Sequence, residues 1–429
     1  MYSFTYKKAI CPILKVSALS LILVLISSND FAQITGCKDP LATNYNATAT
    51  VNDGSCTYNS QAYTPPIKVD PLDDKISETS GLQMAGGFLW TFNDSGGEAA
   101  LFKIDTLTKT ILQKVYLEGA VNIDWEALAF DGTYFYVGDI GNNYDGGRND
   151  LKIYKFPFIA ISNAIANPVI TIPANQISVI NFYYSDQSQP PVTTSNNNTK
   201  FDCEAMFVEG GKINLFTKNW IDLNTTHYVI NNTNAGNYVA IPLETLATNF
   251  LVTDVDKAKG QNLFVLLGYK NVVPGNHYLY LLSDYFGGKY FNGNKRIINL
   301  PDATIMGQAE GLCFKNSTEG YISNEKFVRS SQGFTLTVNQ KLRTFNLKDF
   351  VSTSTTTYAF TGNGNWDLPS NWSNSMVPPA TLNAGSEIII NPAAGGNCVL
   401  NIVYTVSKGA KLTVNTGKNF VVAGNLIIQ

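Results

Sequence analysis

The chain has 429 residues, of which 44% are hydrophobic and only 15% charged, enough apolar material for two or three units with separate cores. A formal net charge of −3, with no block of Lys or Arg, argues against nucleic acid as a partner. Sparse charge together with abundant Gly, Asn, Thr and Tyr favours extracellular β structure over a helical cytosolic enzyme.

In chain order, residues 1–32 read as an export signal. Lys7, Lys8 and Lys15 give a positive start, "VSALSLILVLISS" is an apolar run of 13 residues, and Ala32 offers a small residue before a cut. The competing reading, a membrane anchor, needs roughly 20 apolar residues. No later segment is long and apolar enough to span, so the mature chain is expected to be secreted or held at the cell surface. Cys11 leaves with the signal. Residues 33–60 are polar, and Cys37 and Cys56 bracket an Asp/Asn-rich stretch, which argues for a disulfide in an oxidising compartment. Cys203, Cys313 and Cys398 lie far apart in sequence and read as buried free thiols.

Residues 66–350 are aromatic and β-branched runs punctuated by Gly/Asn/Asp turns, an all-β pattern with one weak helical candidate, "PLETLATNF" at 242–250. A repeat emerges within it. "SETSGL" holds Glu78, "DWEALAF" Glu126, "DCEAMFV" Glu204 and "QAEGLCF" Glu310, each ahead of a small-then-apolar pair. A second strand follows each: "FLWTFND", "YFYVGDIGNN", "KINLFTKNW" and "EGYISNEK". A degenerate fifth copy carries Asp254 and Asp256. Glu78 to Glu126 spans 48 residues, Glu204 to Asp256 spans 52, and Asp256 to Glu310 spans 54. The longer step of 78 from Glu126 to Glu204 contains an apparent insertion. A period near 50 with several strands per unit predicts a β-propeller rather than a solenoid. Five blades are visible; a sixth is expected from leftover strands around 160–185 or from pairing of the domain's two ends. After a Thr/Ser linker at 351–357, residues 358–429 show short apolar alternations with Gly at the corners.

Acids recurring at the start of corresponding inner strands would converge at the mouth of a central channel. Glu78, Glu126, Glu204 and Glu310, with Asp124 and Asp202, would make that mouth strongly negative unless a cation, a basic partner or water offsets the repulsion. Oxygen donors without His or Cys point to Ca²⁺ or Mg²⁺. The alternative role is capping of backbone N–H groups within each blade. A second polar set follows the second strands: Asn93, Asp94, Asp139, Asn142, Asn143, Lys218, Asn219, Asn324 and Glu325. Turn chemistry accounts for much of it; Lys218 is the exception, suited to pairing with the acids or to an anionic ligand. The chain has two His residues and no nucleophile-elbow, zincin or P-loop motif, so any catalysis would rest on carboxylates, Lys218 and a metal-bound water.

The repeat segments "ISETSGL…LWTFNDSG", "NIDWEALAFDGTYFYVGDIGNN", "FDCEAMFVEGGKINLFTKNW" and "AEGLCF" resemble the secreted β-propellers common in Bacteroidetes, in the wider group of phytase-like esterase and SdiA-regulated-type propellers. That resemblance implies calcium-dependent phosphoester hydrolysis as one activity, although no basic cluster for a polyphosphate accompanies the acids. "GCKDPLATNYNATATVNDGSCTY" is similar to short modules of secreted bacterial proteins that look like thrombospondin type 3 calcium repeats. There Cys37 and Cys56 would form the bridge, and Asp39, Asn44, Asn46, Asn52 and Asp53 would supply oxygens, a plain disulfide loop being the alternative. "GNGNWDLPSNWSNSMVPP" and the strands after it resemble the start of a right-handed parallel β-helix. Rungs still stack at Gln429, which leaves a truncated chain or a short β-sandwich as the two readings. The leading expectation is a binding protein that presents its acidic mouth to a cation, glycan, protein or small-molecule ligand. The alternative is a metal-dependent hydrolase, phosphoesterase or lactonase-like, using the same carboxylates.

Overall fold

The computed structural model describes residues 34–429 except 163–165, 260, 273–274, 332, 353–356, 374–376, 383–385 and 408–409. The expected signal (residues 1–32, with Cys11 and the cut at Ala32) and much of the Thr/Ser linker lie outside the described residues. The remainder is almost wholly β, in three regions.

The central region is a β-propeller. Its inner strands are Thr79–Ala85, Trp125–Phe130, Cys203–Glu209, Leu251–Lys257 and Gln308–Phe314. Each packs against the next, and the fifth against the first, which closes a ring of five. The inner strands are buried along nearly their whole length, whereas the outer strand Gly236–Leu246 alternates largely between half-buried and exposed positions. Continuous burial at the axis and alternation at the rim follow from sheets covered on both faces only near the centre. Two of the hairpins turn through Gly86–Gly87 and Gly210–Gly211, all four with φ between 58° and 82°. Two consecutive positive φ values are what a two-residue hairpin requires.

Each junction between blades holds its own apolar cluster. Trp90, Phe92, Trp125 and Phe135 fill the first, with Phe92 edge-on to Trp125 at 5.8 Å. Met206, Tyr228 and Tyr184 belong to the second, Phe216 and Phe264 to the third, Leu267 and Phe314 to the fourth, and Leu82 and Leu342 to the fifth. Stability is therefore spread around the ring, and opening any one junction exposes a core.

The expected sixth blade does not form. Val169–Ile172 adds a parallel outer strand to the first blade, beside Ile111–Leu117. Ser178–Tyr184 is the outer strand of the second blade and pairs in parallel with Gly236–Leu246 of the third, merging two blades into one eight-stranded sheet. Pairing of the domain's ends completes the fifth blade instead: Ile67–Val69 lies antiparallel on Lys341–Asn346. The helical candidate at 242–250 is likewise strand as far as Leu246, because antiparallel pairing of 241–246 with 225–229 outweighs weak helix propensity.

At the N-terminal end Cys37 and Cys56 form a disulfide, and the module touches the fourth blade through Asn52 Nδ2, which donates to Asn294 Oδ1 at 2.8 Å. Cys203, Cys313 and Cys398 are free and buried. The C-terminal region is a parallel β-solenoid and not a β-sandwich. Three three-stranded parallel sheets stack Thr357–Phe360, Glu387–Ile390 and Lys411–Val414 on one side and equivalent triplets on the other two. Its core includes Trp366, Trp372 and Tyr404.

The closing strand is held by Arg343, which is 2% exposed. Its Nη1 donates to Pro65 O at 3.0 Å and its Nη2 to Ile305 O at 2.6 Å. Arg343→Ala leaves both carbonyls without this donor and should cost about 2–4 kcal/mol by urea denaturation. Ile67→Ala, at a position 51% exposed on the closing strand, should stay within about 0.5 kcal/mol of wild type.

Candidate functional site

A β-bulge interrupts the pairing of every inner strand with its hairpin partner near the same end. The residues skipped by the ladder are Ser80 and Gly81 in the first blade, Glu126 in the second, Glu204 in the third, Thr253 in the fourth and Glu310 in the fifth. A bulge re-aims a side chain, and here it does so at one level around the axis. The register then supplies a second set, one residue beyond the pair that closes each bulge on the second strand: Asp94, Ile140, Lys218, Tyr269 and Glu325.

These residues meet. Glu204 and Lys218 are 2% and 3% exposed, with Lys218 Nζ at 2.6 and 2.5 Å from the two carboxylate oxygens. Lys218 also lies 3.8 Å from Glu310 Oε1 and over the rings of Trp220 and Tyr269. Glu310 Oε1 accepts from Gln308 Nε2 at 2.8 Å and Tyr269 Oη at 3.3 Å, while its buried Oε2 has no hydrogen-bond partner among the described residues. Ser80 Oγ donates to Glu126 Oε2 at 3.4 Å. Asp94, Asp124 and Glu126 each offer a carboxylate oxygen within 4.8 Å of the others, a triad that could hold a metal ion. Gly141 makes room for it, since a β-carbon there would overlap Asp124 Oδ2 and crowd Glu126 Oε1.

Behind the triad, Asp139 is fully buried; its Oδ1 accepts from Asp124 N and from Arg148 Nη2 at 2.9 Å, and its Oδ2 has no partner among the described residues. Asp202 accepts from Asn142 N at 2.6 Å and Trp220 Nε1 at 2.8 Å. Asn324 donates to Glu325 O and Asn339 O, leaving its own buried oxygen unpartnered among the described residues. Asn219 caps its own turn through Ile221 N, and Asn143 O accepts from Asn197 N.

Crowding sets the protonation. Burial, then the charge of Glu310, raises Asp94 to about 6 against the Ser95 N–H that favours its ionised form. Burial, then Asp94 and Asp202, raises Asp124 to about 7. Glu126 is pushed well above the usual carboxyl range by burial and then by Asp94 and Glu204, and Glu325 by burial and then by Glu310 and Asp94. Burial alone would lower Lys218, but Glu204 and Glu310 outweigh it and hold the ammonium charged. Removing that charge would strand a buried carboxylate, a loss of about 3–5 kcal/mol.

Not every singled-out acid converges in the same way. Glu78 is exposed and stands two positions before the bulge, level with Asp124, Asp202 and Gln308; Ser80 takes the place matching Glu126. Asp254 and Asp256 instead accept Leu312 N and Phe314 N from the fifth blade, at 2.5 and 2.6 Å, so the fourth blade uses its acids to bind its neighbour's backbone. In the N-terminal module Asp39 accepts from Leu41 N and Tyr58 Oη, and Asp53 from Ser55 N. Asn44, Asn46 and Asn52 similarly accept from Thr57 N, Thr48 N and Lys38 N. Tyr269, Arg148 and Trp220 were not singled out from sequence. Tyr269 and Trp220 are within reach of the repeat pattern, since Tyr269 closes the second strand of the degenerate copy and Trp220 ends the repeat segment "KINLFTKNW"; Arg148 sits in a loop with no repeating signal.

No protein-family model and no curated protein matches the chain. Among solved structures it is similar to a GH43 β-1,3-galactosidase with galactodeoxynojirimycin, at 11% identity and TM-score 0.31 over 60% of this chain and 92% of the other. It is also similar to a protein described as a 6-phosphogluconolactonase from Bacteroides uniformis, at 13% identity and TM-score 0.30 over 62% and 71%. A tail fibre of Staphylococcus aureus phage P68 aligns at 8% identity and TM-score 0.34 over 67% and 53%. Among the described residues no helix is long and apolar enough to cross a membrane.

Two predictions follow from the electrostatics and the packing. In the folded chain the mouth carboxyls keep protons that the unfolded chain, with ordinary values of 3.8, has lost. Their contribution to stability is present below about pH 4 and falls as pH rises through about 6 to 7. In a chelating buffer the melting temperature should therefore drop between about pH 5 and 8, and Asp124→Asn should flatten that drop. Gly141→Ala puts a β-carbon 2.5 Å from Asp124 Cγ and forces that carboxyl aside, so it should cost about 1–3 kcal/mol while abolishing any melting-temperature response to calcium at the triad.

Proposed function

We propose that this chain is an exported extracellular or cell-surface binding protein, of the secreted Bacteroidetes propeller type, whose propeller mouth holds a hard divalent cation and presents it to a partner. Asp94, Asp124 and Glu126 would hold the cation, and calcium suits a set made only of oxygen donors. The observation that carries the reading is the triad itself: three carboxylates, each with an oxygen within 4.8 Å of the others, two of them half-buried and one buried, with no base among them. A cation held there would offset their repulsion and could take hydroxyl or carboxylate oxygens of a glycan, protein or small molecule as further donors. The N-terminal module, with its thrombospondin type 3-like pattern, is a second place where calcium is expected from sequence, on Asp39 and Asp53.

A second reading uses the same carboxylates for metal-dependent hydrolysis of a phosphoester or lactone. Lys218 favours it, as an ammonium beside the acids that could steady a developing anion. Against it, Lys218 is already engaged by Glu204, and Arg148 by Asp139 and Asp150, so a phosphate would meet no free base among them. Binding is therefore the preferred reading.

The deciding measurement is calcium-dependent thermal stabilisation of the full chain. Calcium at about 100 times its dissociation constant should add about 2.7 kcal/mol of stability, and Glu126→Gln combined with Asp94→Asn should remove that gain. Stabilisation undiminished in that double variant would sink the mouth as the cation site, whereas a smaller gain that Asp39→Asn with Asp53→Asn then removes belongs to the N-terminal module. Turnover of a phosphoester or lactone panel that disappears in the same variant would replace binding by hydrolysis.

A further inference from the structure

A groove of about 450 Å³ opens between the third and fourth blades on the acidic face. Its wall includes Trp220, Leu223, Asn197, Asn249, Lys270 and Asn271. Four non-glycine residues among the described ones have left-handed backbone, namely Asn197, Leu223, Asn249 and Asp284, at φ of 55°, 57°, 60° and 52°. Three of the four line this groove. Asn tolerates that conformation, but Leu does not do so freely, and such strain persists only where the surroundings enforce it. They do so here: Leu223 N donates to Asn219 O at 3.1 Å, and Thr248 Oγ1 donates to Leu223 O at 2.7 Å.

Trp220 joins the groove to the mouth. Its Nε1 is fixed on Asp202 Oδ2 at 2.8 Å, Lys218 Nζ lies 5.1 Å from its ring centre, and the residue remains half-buried. A clamped indole on a concave wall is a stacking platform. Around it, Asn197, Asn249, Lys270 and Asn271 are exposed, so three amides and an ammonium face solvent beside one aromatic ring.

From this arrangement we infer that the groove is a saccharide subsite. A pyranose ring packs its C–H face on Trp220, its hydroxyls bond the amides of Asn197, Asn249 and Asn271, and a uronate carboxylate meets Lys270. The inference rests on the cation reading of the mouth only in that one glycan would reach both. Aromatic stacking and the amides act without metal, so acidic sugars bind the groove in a chelating buffer, and calcium at the mouth adds to that affinity.

The test is calorimetric titration of the full chain with trimers of galacturonate and glucuronate and of their neutral counterparts, galactose and glucose, in calcium and in chelator. Uronate trimers should bind saturably in chelator, and Trp220→Ala should weaken them about tenfold. Trp220→Phe, which keeps an aromatic face, should retain much of the affinity, and Lys270→Gln should erase the preference for uronate over neutral trimers. If Trp220→Ala does not fold, Asn249→Gly, which keeps the left-handed backbone, with Asn271→Ala should weaken the same binding. Absence of saturable binding by every trimer in both buffers overturns the subsite, as does indifference to all of these changes. Failure of the cation reading looks different: calcium then adds nothing to wild type, while binding in chelator persists and still depends on Trp220.

Discussion

A β-bulge at the same end of all five inner strands turns the skipped side chains toward one small volume, and the chemistry of the mouth follows from which residues those are. Three of the five blades put Glu there, the second strands add Asp94 and Glu325, and Asp124 and Asp202 stand two residues away. Among the described residues, only Lys218 opposes them from within the ring. In water such charges would be screened; at a largely buried mouth they are not, and burial is the largest cause in each raised carboxyl described above. The mouth can relieve this repulsion by keeping protons or by taking a cation. Both outcomes hang on one geometric device.

That device is affordable because the ring is closed and stiff. Every blade junction carries its own aromatic or aliphatic cluster, and the end strand at 67–69 completes the last sheet. The parallel pairing of the outer strands of the second and third blades ties those two together across the rim. Like charges held on separate blades cannot drift apart unless a junction opens, and each junction costs buried apolar surface to open. The strained loop at Leu223 is held in the same way, by hydrogen bonds from flanking loops rather than by its own preference.

Much of the fold was legible beforehand, since period, alternation and turn residues are local signals. The propeller, the disulfide and the parallel solenoid all follow from patterns a few residues long. Blade number did not, because strands at 169–172 and 178–184 could have founded a sheet of their own or extended existing ones, and pairing partners distant in sequence decided it. The acids were legible as a repeat but misregistered by two residues in the first blade. Glu78 looks like the partner of Glu126 in sequence, whereas the bulge assigns that level to Ser80 and leaves Glu78 at the rim. Asp254 and Asp256 illustrate the converse, acids of the right type whose oxygens are consumed by backbone N–H groups of the neighbouring blade.

The sequence by itself determined composition, strand periodicity, the recurring acids and the cysteine bracket, because each is written in neighbouring residues. Only the tertiary structure decided which carboxylates share a volume, that Lys218 is spent on Glu204, and that Trp220, Asn249 and Lys270 line one groove. The physical reason is that desolvation and charge coupling depend on distance through space, and in a closed ring the nearest neighbours of a residue are contributed by blades about 50 residues away in the chain.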